Sequence, residues 1–323
     1  PEACCRSNPS SQRSLLGFVT APSSFKRFKS RLAWDEIDRE SVKSLLHLCL
    51  IEERGRENSG SCLGDVTTDS CKITGLGKAS LVAREPMILC GIGLIPLVAN
   101  AFGVPQVKLA RQVEDGTPLQ PGESIGVMEG PQPEILLIER TVLNFLQKLS
   151  GIATVANRFV KILEPFGVGL LDTRKTTPGM RSLEKYATAC GGGYNHRMGL
   201  YDRMLVKDNH LAAASIASPV ALTEFVRDLK NSQPGVLLEI EVDGLEQFEA
   251  VLEGGADAVL LDNFSPDEIE RASAINDNRA VLEASGGINE ENISAYAQAK
   301  PHFISSGAPI HASRWLDIGL DWE

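Results

Sequence analysis

The chain has 323 residues, of which 43% are hydrophobic, so it can bury a substantial core in one large domain or two smaller ones. It carries 42 acidic against 32 basic residues, a formal net charge of −10. This balance argues against a general nucleic-acid or anionic-membrane binder, because such proteins present a net basic surface. Any anion-binding site must therefore be local.

Residues 1–33 differ in composition from the rest of the chain. They hold six basic residues and one acid, and they are rich in Ser and Arg. An organelle transit peptide has this composition, and so does a disordered N-terminal extension. We predict a disordered or targeting extension over 1–33, with a plastid or mitochondrial location if it is a transit peptide and a cytoplasmic one otherwise.

The cysteines and the apolar runs narrow the class of protein further. The seven cysteines are odd in number and scattered, without a CxxC pair. This usage indicates reduced thiols in an intracellular compartment rather than a disulfide framework or a zinc site. The longest uncharged apolar run, residues 87–102, is interrupted by Gly and Pro and is too short for a membrane span. It predicts a buried helix, or a helix and a turn.

The first folded segment reads as an α+β domain. Apolar residues at helical spacing over 34–53 predict a helix, with Asp35 or Asp38 as its N-cap. A small sheet with a helix against it is predicted next, because turn residues separate four β-prone runs: 78–83, 107–113, 124–130 and 134–138.

The second half of the chain repeats one pattern. A helix predicted over 139–163 is followed by six apolar runs that each end in polar or charged residues. The last four runs are centred about 21 to 23 residues apart, with helical segments between them. Strands that alternate with helices predict a parallel sheet and a (β/α) barrel, or part of one.

Polar residues at the carboxyl ends of barrel strands form the mouth of an active site. The predicted strands end in Asp172, Arg174, Lys175, Lys207, Glu241, Asp243, Asp262, Asn263, Ser285, Gly286 and Gly307. Guanidinium groups bind carboxylate or phosphate through two hydrogen bonds, and backbone N–H groups around 285–287 and 305–308 can cradle a phosphate. The mouth therefore favours a phosphorylated, anionic substrate.

Two features of this mouth allow more than one interpretation. Glu241 and Asp262 end neighbouring predicted strands, where hard carboxylate ligands suit Mg²⁺ shared with substrate phosphates. Alternatively, they pair with Lys207 or Arg174. Lys207 at a strand end is also compatible with a Schiff base to a carbonyl substrate, as in an aldolase.

Two long stretches carry a resemblance to a known family: DTRKTTPGMRSLEKYA (172–187) and GGGYNHRMGLYDRMLVKDNH (191–210). Shorter ones extend it over most of the chain beyond residue 50, at 63–68, 139–154, 239–243, 260–264, 283–288 and 304–308. The chain resembles the quinolinate phosphoribosyltransferases, also called nicotinate-nucleotide pyrophosphorylases (carboxylating).

The resemblance implies a fold and a reaction. The α/β fold would be an N-terminal α/β sandwich over 34–147, with 309–323 packing back onto it, followed over 148–308 by an incomplete (β/α) barrel of about seven strands. The reaction would transfer phosphoribosyl from 5-phosphoribosyl-1-pyrophosphate to quinolinate with decarboxylation, giving nicotinate mononucleotide, pyrophosphate and CO₂ in NAD biosynthesis, with Mg²⁺ required.

Site residues are implied by the same resemblance. Quinolinate would be bound by Arg140, Arg174, His196, Arg197 and Lys207. Phosphoribosyl pyrophosphate would be bound by Lys175, Glu241, Asp262, Ser285, Gly286 and Gly307. The expected catalytic residues are Lys175, Lys207, Glu241 and Asp262, the last two also holding the metal, directly or through water. A homodimer or higher oligomer is expected, in which Arg140 crosses to the partner's site.

The sequence departs from the family pattern in three places, of which Met180 for the usual Leu is a near-isosteric change of little effect. His302 stands where Asp is common, and GAPIHAS (307–313) replaces a more usual GALTHS, which puts the detail of the phosphate-side loop in doubt. We assign His311 a structural role. Two rival functions stay open: a pyridine phosphoribosyltransferase that does not decarboxylate, which would need fewer cations, and a catalytically dead homologue that binds pyridine carboxylates.

Overall fold

The computed structural model describes residues 22–55 and 64–323 of the chain. Up to the long central helix, the elements are α1 Arg39–Arg54, α2 Val66–Cys71, β1 Leu76–Ala83, β2 Met87–Ile88, α3 Leu94–Ala101, β3 Lys108–Ala110, β4 Pro118–Leu119, β5 Ser124–Pro131 and α4 Gln132–Leu163. After it come β6 Gly169–Leu171, α5 Arg181–Cys190, β7 Met204–Val206, α6 Asp208–Ala213, α7 Pro219–Ser232, β8 Leu238–Val242, α8 Leu245–Gly254, β9 Ala258–Asp262, α9 Pro266–Asn276, β10 Val281–Ser285, α10 Ile293–Gln298, β11 Phe303–Ser305, α11 Ala308–His311 and β12 Ile318–Trp322.

A four-stranded antiparallel sheet in the order β12-β1-β5-β3 organises the N-terminal part. On β1, Ala79, Leu81 and Ala83 alternate onto one face and are fully buried, which is the period-two pattern of a half-buried strand. β12 pairs with β1, so the last strand of the described chain completes the first sheet. The run at 87–102 forms β2, a turn and α3, which is the helix and turn expected from its sequence.

Helix boundaries follow local chemistry. Asp38 caps α1, accepting hydrogen bonds from the backbone N–H groups of Glu40 and Ser41 at 3.1 and 3.4 Å. The prediction of a strand over 134–138 is wrong. These residues lie inside α4, which begins at Gln132 rather than at 139. Ile135, Ile138 and Val142 share one buried helix face there, and that spacing outweighs the β-prone composition.

Among the described residues, no helix is both long and apolar enough to cross a membrane.

A six-stranded parallel sheet in the order β6-β11-β10-β9-β8-β7 forms the second part. The predicted α/β fold class is confirmed, with six strands instead of about seven. A single parallel bridge between Leu171 and Tyr194 stands beside β6. Residues 195–203 then bond through side chains rather than as a strand. Within the described ranges, β7 is therefore paired on one side alone, and the barrel stays open between Tyr194 and Met204.

Alternation along the strands sorts side chains into the barrel interior and the helix-facing exterior. On β8, Ile240 and Val242 pack outward in one hydrophobic cluster, while Glu239 and Glu241 point inward. The same alternation on β9 to β11 gives an interior of three layers. Ala258, Val281 and Phe303 form one buried cluster with Phe28 at the amino ends of the strands. Glu239 and Glu283 meet at His196 in the middle. Glu241, Asp262, Ser285 and Ser305 line the cavity at the carboxyl ends.

Residues 22–33 close the amino end of the barrel, although the sequence analysis assigned them to an extension. The Phe28 side chain is fully buried, with its ring centroid 5.8 Å from that of Phe303. Ser24 Oγ donates a 3.0 Å hydrogen bond to the backbone carbonyl of Asp257, and the backbone N–H of Asn195 donates one to the backbone carbonyl of Ser30. Residues 1–21, which carry the rest of that prediction, lie outside the described residues.

Two side chains that directly precede a strand each accept a hydrogen bond from the backbone of the neighbouring strand. These contacts hold β8 beside β9 and β10 beside β11. Asp257 Oδ2 accepts a hydrogen bond from the backbone N–H of Leu238 at 2.8 Å, and His302 Nδ1 accepts one from Leu282 at 2.9 Å. A neutral imidazole thus supplies, ahead of β11, the acceptor that a carboxylate supplies ahead of β9, two repeats earlier. The departure from Asp at 302 leaves this hydrogen bond intact.

Protonation of His302 removes that acceptor, so stability should depend on pH. Burial lowers the pKa of His302, so the unfolded chain takes up the proton first, near the ordinary value of about 6.5. Stability is therefore lost as the pH falls through that range. Thermal unfolding of wild type and His302→Asn between about pH 7.5 and about pH 5 should show a shallower loss in the variant, which keeps an acceptor that does not titrate. The exposed His47→Asn serves as control, and equal slopes in all three proteins contradict this role.

Candidate active site

A cavity of about 410 Å³ opens at the carboxyl ends of the parallel strands. The predicted residues that line it are Arg174, Lys175, His196, Arg197, Lys207, Glu241, Asp262, Ser285 and Gly286. Two predicted residues lie elsewhere: Arg140 is exposed on α4, and Gly307 lies behind Lys175. Of the other strand-end residues, Asp172 is buried outside the cavity lining and Asp243 is exposed.

Cations occupy one side of the cavity. Arg174 and Lys175 are exposed on the loop after β6, and Lys207 lies between the end of β7 and the start of α6, at the N-cap position. The Arg197 side chain is 6% exposed, and burial followed by the charge of Arg174 lowers its pKa. A buried guanidinium beside a second cation is placed to meet an anion.

Carboxylates line the same cavity at the ends of β8 and β9. Glu241 pairs with Lys207, as the alternative interpretation of the sequence allowed, and its side chain is 11% exposed. Asp262 accepts a 2.8 Å hydrogen bond from the side-chain amide of Asn263. Cations and hard oxygen donors therefore lie together in one cavity.

Two glycines shape the loops beside the carboxylates. Gly286 has φ of +100°, and a Cβ there would lie 2.3 Å from Asn263 Oδ1, so the position admits no side chain. At Gly307 a Cβ would lie 3.3 Å from Lys175 Cδ and 2.9 Å from the ring of His311. The missing side chain therefore leaves room for Lys175, and His311 packs behind it.

A buried network holds the cationic side in position. Asp172 accepts hydrogen bonds from Lys185 Nζ, from the backbone N–H of His196 at 2.8 Å and from Asn195 Nδ2 at 2.7 Å. Lys185 Nζ also donates to the carbonyl of His196 at 2.9 Å. One ion pair thereby fixes the start of the loop that carries Arg174 and the segment before Arg197.

A second buried cluster lies in the middle layer of the barrel, and the sequence analysis missed it. His196 Nε2 lies 3.3 Å from Glu239 Oε2 and 3.5 Å from Glu283 Oε1, and Arg203 Nη1 lies 3.3 Å from Glu239 Oε2. Glu239 and Glu283 are each two residues before a predicted site residue, Glu241 and Ser285. The period of two along a strand was therefore the signal that could have found them.

Comparisons with known proteins agree along the whole length of both domains. Residues 65–150 match the model of the quinolinate phosphoribosyl transferase N-terminal domain, and residues 152–321 match that of the C-terminal domain. The nicotinate-nucleotide pyrophosphorylase [carboxylating] of Mycobacterium leprae is 39% identical over 262 residues, which cover 80% of this chain and 90% of the relative. The quinolinate phosphoribosyltransferase [decarboxylating] 1b of Nicotiana tabacum is 33% identical over 86% of this chain and 81% of its own length.

A solved structure shows the same fold. The nicotinate-nucleotide pyrophosphorylase from Francisella tularensis superposes with a TM-score of 0.80 at 34% identity, covering 89% of this chain and 98% of the other.

Loss of the buried lysine should destabilise the whole protein. Lys185→Met leaves the Asp172 carboxylate buried without its counter-charge, which costs about 3–5 kcal/mol. Urea unfolding measures this free energy. The control is Lys78→Met, which removes an exposed pair with Glu129 (2.7 Å) and should cost about 1 kcal/mol or less. Equal costs for the two variants would show that the buried pair does not hold the site.

Proposed function

The chain belongs to the quinolinate phosphoribosyltransferase family, and from this premise we propose that it transfers phosphoribosyl from 5-phosphoribosyl-1-pyrophosphate to quinolinate and releases CO₂. The products are nicotinate mononucleotide, pyrophosphate and CO₂. The observation that carries the proposal is the cavity at the strand ends, where cations face two carboxylates and a glycine-lined loop.

Quinolinate is a dianion, and the cationic side of the cavity suits it. Arg174 and Arg197 can each bind one carboxylate through two hydrogen bonds, with Lys207 and His196 beside them. A substrate with a single carboxylate would leave one of the two guanidinium groups without an anion, which is costly where that group is the buried Arg197. The number of cations therefore favours quinolinate over nicotinate.

Phosphoribosyl pyrophosphate would bind to Lys175 and to the lining residues at the ends of β8, β9 and β10. The positive charge of Lys175 would stabilise the departing pyrophosphate, and the backbone at Ser285 and Gly286 offers N–H groups to a phosphate. The pyridine nitrogen displaces pyrophosphate at the anomeric carbon, where positive charge develops, and Glu241 and Asp262 can orient the ribose hydroxyls and stabilise that charge.

Mg²⁺ is the proposed cofactor. Glu241 and Asp262 are hard oxygen donors at the ends of adjacent strands, and they fit an ion that is shared with substrate phosphates, directly or through water. When bound, the ion neutralises phosphate charge and favours departure of pyrophosphate. The chain's own contribution is position: β8 and β9 hold the two carboxylates in register.

Loss of CO₂ follows from the transfer step. Once alkylated, the ring nitrogen is positive and stabilises the electron pair left on C2 when the adjacent carboxylate leaves. Attachment of the other carboxylate to the cations keeps the ring fixed while this bond breaks.

A homodimer would complete the site. Arg140 is exposed on α4 and lies outside the lining of its own chain's cavity. We propose that it reaches the quinolinate side of the partner's cavity, so that each site draws a cation from both chains.

The function is tested with quinolinate labelled in the 2-carboxylate. Label should leave as CO₂ only when phosphoribosyl pyrophosphate and Mg²⁺ are both present, and Arg174→Ala should lower the rate about 100-fold or more. The control Arg158→Ala removes an exposed pair with Glu290 and should leave the rate unchanged. Formation of product from nicotinate instead would establish a pyridine phosphoribosyltransferase that does not decarboxylate. Binding of quinolinate without turnover would establish a catalytically dead homologue.

Shared sites are tested by mixing two inactive variants. Arg140→Ala and Lys175→Ala should each be inactive alone. If Arg140 crosses to the partner, a mixed dimer contains one intact site, so equal mixing after subunit exchange should restore about a quarter of wild-type activity. Absence of recovery, with mixed dimers demonstrated by differential tagging, contradicts the crossing.

A further inference from the structure

The proposed decarboxylation leaves one chemical requirement without a residue. When CO₂ departs, the C2–carboxylate electron pair stays on C2 and must take up a proton before nicotinate mononucleotide can leave. The cations of the cavity have carboxylates to hold, and the carboxylates at the strand ends belong to the phosphoribosyl side. An acid must therefore lie elsewhere in the cavity wall, and this inference rests on the proposed function.

Glu283 is the side chain in the wall that meets this requirement. It points inward from β10, beneath Ser285, and it contributes to the cavity lining while remaining 0% exposed. Among the described residues, neither of its carboxyl oxygens accepts a hydrogen bond of normal geometry, and its polar neighbours are His196, Glu239 and Ser305. A fully buried carboxyl group without a well-formed hydrogen bond costs stability, so its presence there calls for an explanation in the chemistry of the cavity.

The charges around Glu283 decide whether its carboxyl group carries a proton. The groups that face Glu283 are Glu239 from β8, His196 from the segment after the bridge, Arg203 ahead of β7 and Ser305 from β11. Arg203 lies against Glu239, at 3.3 Å, and so neutralises that carboxylate. Burial lowers the pKa of His196, so its imidazole is neutral near pH 7. A second carboxylate in the same dry layer would then have no counter-charge, so one of the two must carry a proton.

We propose that Glu283 is the acid that protonates C2 of the pyridine ring after CO₂ has left. The carbon–carbon bond breaks, CO₂ departs, and the electron pair on C2 takes the proton from the Glu283 carboxyl group, which becomes a carboxylate. It regains a proton from water once product has left the cavity. His196 acts as a positioning residue, because its Nε2 lies between the two carboxyl groups.

The titration behaviour of the pair agrees with this assignment. Burial, followed by the charge of Glu239, raises the pKa of Glu283 well above its ordinary value. Glu239, by contrast, has the guanidinium of Arg203 at 3.3 Å as its counter-charge. The proton is therefore on Glu283, the member of the pair that lines the cavity.

The ratio of the two small products tests the proposal. Wild type should release pyrophosphate and CO₂ at equal rates. In Glu283→Gln, transfer should still release pyrophosphate, while the carbanion recaptures CO₂ for lack of a proton. CO₂ release should then lag at least about 10-fold behind pyrophosphate, with carboxylated mononucleotide accumulating. Glu283→Asp keeps an acid one methylene further away and should give an intermediate ratio.

Controls separate catalysis from folding and from the parent proposal. Glutamine is the neutral isostere of a protonated Glu, so Glu283→Gln should unfold at a temperature close to that of wild type. Glu184→Gln changes an equally buried carboxyl group outside the cavity lining and should keep a ratio of one. A ratio of one in Glu283→Gln, or in Glu283→Asp if the Gln variant does not fold, overturns the assignment. Absence of pyrophosphate from wild type would instead contradict the proposed function.

Discussion

The buried ion pair of Lys185 and Asp172 is the contact on which the site depends. It joins the end of β6 to α5, and through Asn195 and the His196 backbone it holds the segment that runs beside the open edge of the barrel. Burial opposes the charged form of each partner, raising the pKa of Asp172 and lowering that of Lys185, and each partner's charge partly offsets this for the other. The arrangement is therefore stable only as a complete network.

The open edge of the barrel is a consequence of the same network. A seventh strand would use residues 195–203 in backbone pairing, but here their side chains supply Asn195 to Asp172, His196 to the carboxyl pair and Arg203 to Glu239. In place of a seventh strand, this segment supplies side chains that position the substrate-binding cations and that neutralise the charge of the barrel interior. Residues 22–33 cover the amino end of the barrel, where Phe28 packs on Phe303.

Much of this arrangement follows from the sequence, because strands that alternate with helices at a regular interval dictate which residues meet at one end of a parallel sheet. The positions of Lys207, Glu241, Asp262 and Ser285 in one cavity depend on that rule alone. The rule says nothing about a segment such as 22–33, whose order depends on Phe28 packing against residues about 275 positions away. Nor does it identify the middle layer, since Glu239 and Glu283 lie within apolar strands whose composition predicts a dry interior.

The central claim is that the cavity is built for a dianion, and equilibrium binding tests it most directly. Calorimetric titration of the protein with quinolinate and with nicotinate compares ligands that differ by one carboxylate. The account predicts that quinolinate binds at least about 10- to 100-fold more tightly at low salt, because the second carboxylate gains a charge-assisted contact to a largely buried cation. Equal affinity for the two ligands would contradict it, since the additional cations would then have no carboxylate to bind.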